Sequence, residues 1–433
     1  MAHDETGSTD RRAFLQAGAL ATASALSLNS GLNAQEKAQV PDAPAKTPEL
    51  PRRKLGKTGV EISMLEQGAV RSEALDRIFK MAFASGMRAF DTAKVYGTEP
   101  AFKKWFESDS SIRKQIFLVT KDMPKVAAQI PDMVDDRLKA LGIDQIDLFF
   151  IHGLGDMHSV DDAIKLVTSK EFGEVVDKVK KSGKIKFVGF STHHKDRAPI
   201  IQAAAEAGII DAVMLQYRPW IEKDSPLNKA LDVAHKKGVG LISMKQIAGN
   251  FFGDKPKGNI LDDVKKRVPT LAEKNLSPFQ GLLHAIWTDE RITAACVSMK
   301  NTDQIRENAD AARRFQPLKE AEIAALRDAT FAHGPTLCAD CDGRCMAAAG
   351  TNAELGNLTR FLTYHEHHGD RTEARRLYSE LSPEARDWSG ADLEAARAAC
   401  PGKLDFAKLL PEVDRRLAER TPSSSVGRAS ARG

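Results

Sequence analysis

Four polar side chains of types that can move protons each follow an apolar run of the sequence. They are Asp91, Tyr96, Lys121 and His152, and the apolar runs before them end at Phe90, Thr120 and Ile151. A phenol can donate a proton to the alkoxide that forms when a carbonyl group accepts hydride. Because tyrosine ionises at about pH 10, we expect Lys121 to be the cation that lowers the pKa of Tyr96. Asp91 would orient Lys121, and His152 would hold the carbonyl oxygen or pass the proton.

The same four residues allow a purely structural interpretation. Asp91 and Lys121 would then form a buried ion pair, and Tyr96 and His152 would be ordinary polar groups with satisfied hydrogen bonds. Any one of the four residues fits that interpretation. Four of them at the ends of strand-like runs favour a single constellation, because the C-terminal ends of parallel strands converge on one face of a barrel.

The elements that must position these residues follow a repeated pattern. From residue 52 to about residue 315, apolar runs alternate with amphipathic helical segments such as Ala163–Lys181, as in successive βα units. This length suits a (β/α)8 TIM barrel. A doubly wound sheet is the alternative, but it would need a glycine-rich turn where Gly68-Ala69-Val70-Arg71 stands. The predicted strands are Ile62–Gln67, Arg88–Asp91, Ile116–Thr120, Ile146–His152, Phe187–Phe190, Ala212–Gln216, Gly240–Met244 and Thr293–Ser298.

The region from Arg52 to Ala312 resembles the aldo-keto reductases. Its opening, Lys54-Leu55-Gly56-Lys57-Thr58-Gly59-Val60, is similar to the start of that family, and the four residues above match the family's catalytic tetrad in order and spacing. Gly189-Phe190-Ser191-Thr192 resembles the family's Gly-x-Ser-Asn turn, with Thr192 in place of Asn. The resemblance implies that the coenzyme is held by Ser191, Thr192, Gln216, Lys300 and Asn308.

The resemblance also implies a reaction. Hydride would move between NADP, or NAD, and a small carbonyl or alcohol substrate, with Tyr96 as general acid or base. Lys300 lies where it could reach a 2′-phosphate, which favours NADP. The alternative is a non-catalytic binding or electron-relay protein on the same barrel. His193 and His194 could line the substrate pocket or be solvated loop residues. Tyr217 and Trp220 could stack on a nicotinamide or substrate ring or simply pack in a loop.

The N-terminus has the pattern of an export signal. Arg11 and Arg12 precede Phe14-Leu15 and a mildly apolar Ala/Leu/Ser run, as in twin-arginine signals. We predict a signal peptide over residues 1–34, a linker over 35–51, and an extracytoplasmic or periplasmic location. A chance basic pair at a disordered terminus is the alternative.

Four of the five cysteines lie beyond the predicted barrel of residues 52–333. The segment 334–420 has helical character and resembles a degenerate two-cluster ferredoxin module, with Pro335 at the first ligand position. One iron–sulfur cluster ranks ahead of two disulfides and of tetrahedral zinc. A cluster would also imply a redox partner. The cysteines concerned are Cys338, Cys341, Cys345 and Cys400, and we predict a disordered tail over 421–433.

The charge and hydropathy of the chain exclude two classes of partner. A formal net charge of +4, with no basic run that contains aromatic residues, argues against nucleic acid. No apolar stretch is long enough to span a bilayer, so no stable membrane insertion is expected.

Overall fold

The computed structural model describes most of the chain beyond the predicted linker. The predicted signal peptide, nearly all of the linker, the predicted tail and Cys341 lie outside the described residues. No helix among the described residues is long and apolar enough to cross a membrane. The described residues are 49–69, 74–156, 158–194, 196–221, 223–246, 260–333, 338, 343–366, 371–400 and 403–418.

Eight parallel strands close into a barrel, which confirms the predicted fold. Each strand pairs with the next along the chain, and the last strand pairs with the first, Ala295 lying opposite Leu65. The strands are β3 Leu65–Gln67, β4 Ala89–Asp91, β5 Phe117–Asp122, β6 Ile146–Ile151, β7 Ile185–Thr192, β8 Ala212–Gln216, β9 Gly240–Met244 and β10 Ile292–Val297.

The predicted strand Ile62–Gln67 is wrong as a single element. Glu61–Ser63 (β2) pairs antiparallel with Arg52–Lys54 (β1) in a separate two-stranded sheet, and only Leu65–Gln67 joins the barrel. Met64 makes the change of partner, because its N–H donates to Pro51 O (2.9 Å) and its carbonyl accepts from Ala295 N (2.8 Å).

Helices surround the barrel. The predicted helix Ala163–Lys181 is two helices, because Ser169 is extended (φ −70°, ψ 147°) and its Oγ accepts from Phe172 N at 3.0 Å as an N-cap. The helices of the barrel region are α1 Leu75–Ala84, α2 Glu99–Ser108, α3 Ser111–Gln115, α4 Ile130–Leu141, α5 Val160–Thr168, α6 Lys170–Lys181, α7 Arg197–Ala207, α8 Pro226–Lys236, α9 Ile260–Arg267, α10 Pro269–Glu273, α11 Pro278–Thr288, α12 Thr302–Arg313 and α13 Glu320–His333.

The barrel interior is filled with apolar side chains below the strand ends. Phe150, Leu148, Met214 and Ile242 belong to one buried cluster inside the barrel. Gly189 permits strands β7 and β8 to approach closely, since a Cβ on it would lie 1.9 Å from Ala212 O. The interior is therefore a packed core rather than a channel.

The C-terminal extension is helical and has its own hydrophobic core. That core includes Cys345, Leu358, Leu362, Cys400 and Leu410. A second core alongside that of the barrel is typical of an appended module. The helices are α14 Arg344–Ala349, α15 Leu355–Glu366, α16 Arg371–Glu380, α17 Pro383–Arg386, α18 Leu393–Ala399 and α19 Phe406–Leu417.

Candidate active site

The barrel brings the four predicted proton-handling residues to its C-terminal face. Asp91 ends β4, and Tyr96 closes a 3₁₀ turn, Lys94–Tyr96, that follows this strand. Lys121 lies within its strand rather than just after it as predicted, because β5 continues to Asp122. His152 follows β6 directly, and its backbone N–H donates to Asp122 O at 2.8 Å.

Contacts among the four side chains form two linked pairs. Lys121 is buried, and its Nζ donates to Asp91 Oδ1 and to the carbonyl of Thr92, the latter at 2.9 Å. Tyr96 Oη lies 3.3 Å from His152 Nε2. Lys121 Nζ lies 5.2 Å from the centroid of the Tyr96 ring and so joins the two pairs. A phenol next to a buried ammonium can carry negative charge for the duration of a proton transfer.

The charge states of the site follow from its burial. Burial raises the pKa of Tyr96 and outweighs the opposing effect of Lys121, so the net direction differs from our expectation of a lowered pKa. Burial also lowers the pKa of His152 to about 3, with help from the charge of Lys121. Burial works against the charge of Lys121, but Asp91 and Tyr96 outweigh it, and the pKa of Lys121 is raised. At neutral pH the site therefore holds a protonated phenol, a neutral imidazole and a charged amine.

Beneath the tetrad lies an acid that our sequence analysis did not identify. A carboxylate oxygen of Glu66, a carboxylate oxygen of Asp91 and the Sγ atom of Cys296 all lie within 4.8 Å of one another, and the three residues are buried. Burial, together with the charge of Asp91, raises the pKa of Glu66 to about 8, although the charge of Lys121 opposes the rise. The ammonium of Lys121 already provides a cation here. An acid within an apolar barrel strand was the available sequence signal for Glu66.

Two neighbouring strands carry the predicted nicotinamide ligands. Ser191 Oγ accepts from Gly153 N at 3.2 Å, and Thr192 Oγ1 accepts from His194 N at 3.3 Å. Gln216 ends β8 and is buried. Its Nε2 has no hydrogen-bond partner among the described residues. A buried amide donor of this kind suits the carboxamide oxygen of a nicotinamide, so the site fits that coenzyme.

The aldo/keto reductase family model matches residues 62–330. This chain belongs to the aldo/keto reductase family. The match covers most of the barrel, and membership of the family implies an oxidoreductase that acts on carbonyl groups.

Several known proteins share this region. Aldo-keto reductase str7 of Strobilurus tenacellus is 27% identical over 250 residues, which are 52% of this chain and 70% of that protein. L-galactose dehydrogenase of Arabidopsis thaliana is 24% identical over 291 residues, which are 61% of this chain and 89% of that protein. The holo form of aldo-keto reductase AKR11C1 from Bacillus halodurans superposes with a TM-score of 0.52 at 21% identity, covering 65% of this chain and 96% of that chain, and shows the shared fold.

The predicted adenosine-phosphate residues of this aldo/keto reductase lie on one helix and just before it. Asn301 caps α12, accepting from Asp303 N and Gln304 N at 3.1 and 2.9 Å. Lys300 precedes the cap and is exposed, whereas Asn308 is buried in the second turn. Lys300 therefore stands at a helix N-terminus, where phosphate groups are favoured.

The other residues singled out from the sequence differ in their burial and contacts. His193 Nδ1 lies 3.1 Å from Asp156 Oδ1, next to the tetrad. Tyr217 is buried, and its hydroxyl donates to Asp289 Oδ2 at 2.7 Å. The Tyr217 hydroxyl is therefore held by the protein itself. His194 and Trp220 are half-buried.

The extension's cysteines lie near one another. Cys345 and Cys400 are buried, and Cys338 is half-buried. Burial, together with the charges of Cys338 and Cys400, raises the pKa of Cys345 to about 12. The remaining cysteine, Cys296, is buried in β10 and lies beside Glu66.

Proposed function

We propose that this aldo/keto reductase transfers hydride between NADP, or NAD, and a small carbonyl or alcohol substrate, with Tyr96 as the general acid and base. The observation that carries the proposal is that buried Asp91 and Lys121 join half-buried Tyr96 and His152 at the barrel face where β8 ends with the unpartnered amide donor of Gln216. A binding scaffold would gain nothing from a lysine-supported phenol at this place.

The chain's own residues would handle the proton. When bound, the nicotinamide supplies or accepts the hydride. Tyr96 Oη gives its proton to the substrate oxygen as negative charge develops there. The charge left on the phenol is stabilised by Lys121, which Asp91 holds in place. His152, neutral because its pKa is depressed, orients the same oxygen through Nε2.

Coenzyme binding would use the ends of strands β7 and β8 and the start of helix α12. Ser191, Thr192 and Gln216 would hold the carboxamide, and Asn308 the adenosine end. Lys300, at the N-terminus of α12, would favour NADP by pairing with its 2′-phosphate. A comparison of NADPH and NADH affinity in Lys300→Met tests this preference, and equal loss for both coenzymes would contradict it.

The substitution Tyr96→Phe tests the catalytic assignment. We expect turnover to fall by about a thousandfold while the Kd for NADPH changes less than twofold, because only the transferable proton is removed. Tyr378→Phe, which removes a hydroxyl bonded to Asp414 in the extension, is the matched control. Carbonyl reduction at near wild-type rate in Tyr96→Phe would overturn the assignment. Tight NADPH binding with no carbonyl turnover by the unmodified protein would instead favour a binding protein.

We also propose that the cysteines of the extension hold one iron–sulfur cluster. The electrostatic interaction of Cys345 with Cys338 and Cys400 supports a shared thiolate site, to which Cys341 would add a fourth ligand. Anaerobic purification followed by iron and sulfide analysis tests the proposal. Stoichiometric zinc, or a mass four protons below that of the reduced chain, would replace the cluster with zinc or with two disulfides.

Export is a further part of the proposal. The arginine pair at Arg11 and Arg12 supports the twin-arginine route, which carries folded proteins with their cofactors. A tightly held nucleotide, recycled in place by a second substrate, would then replace free coenzyme. Cell fractionation of an Arg11→Lys, Arg12→Lys variant should show retention in the cytoplasm. Unchanged export would count against the route.

A further inference from the structure

A helix of the C-terminal extension reaches the coenzyme side of the barrel. Helix α15, Leu355–Glu366, has buried residues on all its faces. Leu358 and Leu362 belong to the core of the extension, while Arg360 points to the barrel. The Nη1 atom of Arg360 donates to Oε1 of Gln216 at 3.1 Å, across 144 residues of sequence. Both side chains are buried, so water competes little for this hydrogen bond.

This contact determines which way the Gln216 amide faces. A guanidinium carries only donors, so the amide atom that meets Arg360 must be the oxygen. The amide nitrogen of Gln216 therefore occupies the opposite position, where it is buried and has no hydrogen-bond partner among the described residues. Without Arg360 the two ends of the amide could exchange by a half-turn of the side chain.

We propose that Arg360 is a positioning residue for the coenzyme. It holds Gln216 with Nε2 facing the nicotinamide, where that nitrogen donates to the carboxamide oxygen. The barrel alone would leave the orientation of the Gln216 amide undetermined, and the extension fixes it. This inference rests on the proposed nicotinamide-dependent function.

A second contact fixes the extension at the same place. Arg218, two residues beyond Gln216 and itself buried, donates from Nη1 to the backbone carbonyl of Cys338. The chain is thus bonded to the extension at the last residue of β8, Gln216, and again at Arg218 just beyond it. The charge of Arg360 also lowers the pKa of His193, although burial is the main cause of that shift. The guanidinium therefore lies in the electrostatic environment of the active-site loops.

The test compares two ligands on the full-length protein. NADPH carries the nicotinamide, whereas 2′-phospho-ADP-ribose has the same adenosine and phosphate groups without it. Arg360→Met removes the guanidinium with little change in volume, and Gln216→Glu keeps the acceptor for Arg360 but removes the donor. In both variants we expect the Kd for NADPH to rise about tenfold or more, because Arg360→Met releases the orientation of the Gln216 amide and Gln216→Glu removes the donor itself. The Kd for 2′-phospho-ADP-ribose should change less than twofold.

The outcomes separate this inference from the proposed function. Arg397→Met, an exposed arginine on α18, should bind both ligands as the unmodified protein does. If the unmodified protein binds neither NADPH nor NADH, the proposed function and this inference both fail. If the unmodified protein binds the coenzymes, and Arg360→Met and Gln216→Glu both bind NADPH as tightly as it does, the inference fails and the proposed function stands. Parallel loss of both ligands in both variants would make the contact merely structural and overturn the inference.

Discussion

The barrel and the helical extension contribute differently to the same site. The barrel closes on itself, with β10 paired to β3, and its strand ends supply Asp91, Lys121 and Gln216. The extension is a helical module with a separate core, and it places the side chain of Arg360 against the site. In our two proposals the barrel provides the proton chemistry, and the extension orients Gln216 toward the coenzyme.

A second contrast lies within the barrel itself. Asp91 is buried and accepts a hydrogen bond from the ammonium of Lys121. Glu66 is buried within 4.8 Å of Asp91, and its pKa is raised to about 8. One cation cannot compensate two adjacent carboxylates at low dielectric, so one of them keeps its proton. Burial raises the pKa of both carboxyls, but only Asp91 accepts a hydrogen bond from Lys121, so Glu66 is the acid that keeps the proton and Asp91 the one that orients Lys121.

The largest expected effect comes from removing the barrel's buried cation. Lys121→Met should lower the rate of hydride transfer by about three orders of magnitude, because the phenolate that Tyr96 forms loses its neighbouring charge. Single-turnover measurements with bound NADPH would report this rate. Lys186→Met, which breaks a partly exposed ion pair with Asp147, is the control and should leave the rate nearly unchanged. A similar loss in both variants would mean that general stability, rather than the tetrad, is being measured.

The next prediction asks whether the extension is a separate unit. Leu410 in the extension and Leu231 in the barrel region are both fully buried. Leu→Ala at either position should cost about 3 kcal/mol of unfolding free energy. Only Leu410→Ala should also weaken NADPH binding, because local opening of the extension withdraws Arg360. Calorimetry should show two unfolding transitions in Leu410→Ala, and limited proteolysis should show which region opens first. One cooperative transition with unchanged affinity would remove the distinction between the regions.

A smaller effect concerns the pH dependence of stability. The pKa of Glu66 is raised to about 8 in the folded protein, so between about pH 4.5 and pH 8 the folded state holds a proton that the unfolded state has lost. This contribution to stability is full at low pH and is lost as the pH rises through that window. Glu66→Gln should remove about 2 kcal/mol of that decline between pH 5 and pH 7. Chemical denaturation at several pH values measures it, with exposed Glu61→Gln as the control. Identical slopes for Glu66→Gln and the unmodified protein would contradict a neutral Glu66.

The sequence predicts the barrel and the tetrad better than it predicts their surroundings. Apolar runs that end in polar residues identify strand ends, because strand period and burial are local properties. The split of Ile62–Gln67 at Met64 depends on pairing with Ala295, which no local pattern encodes. The contact of Arg360 with Gln216 joins residues 144 positions apart, so it too could not be predicted from a local pattern. The direction of the Tyr96 pKa shift depends on its depth of burial, which only the folded structure gives.

The smallest expected effect compares helix N-caps in the two regions. Ser225 caps α8 of the barrel region, its Oγ accepting from Asn228 N at 3.2 Å, and Asp392 caps α18 of the extension, accepting from Ala395 N at 2.9 Å. Replacement of either residue by Ala should cost about 1 kcal/mol, because one orphan N–H of the first turn loses its acceptor. Neither substitution should change the Kd for NADPH by more than twofold, since fraying of that turn leaves α15 and Arg360 in place. Thermal denaturation and coenzyme titration would measure both quantities. A tenfold loss of affinity in Asp392→Ala alone would show that Arg360 is held by the whole extension rather than by its own helix.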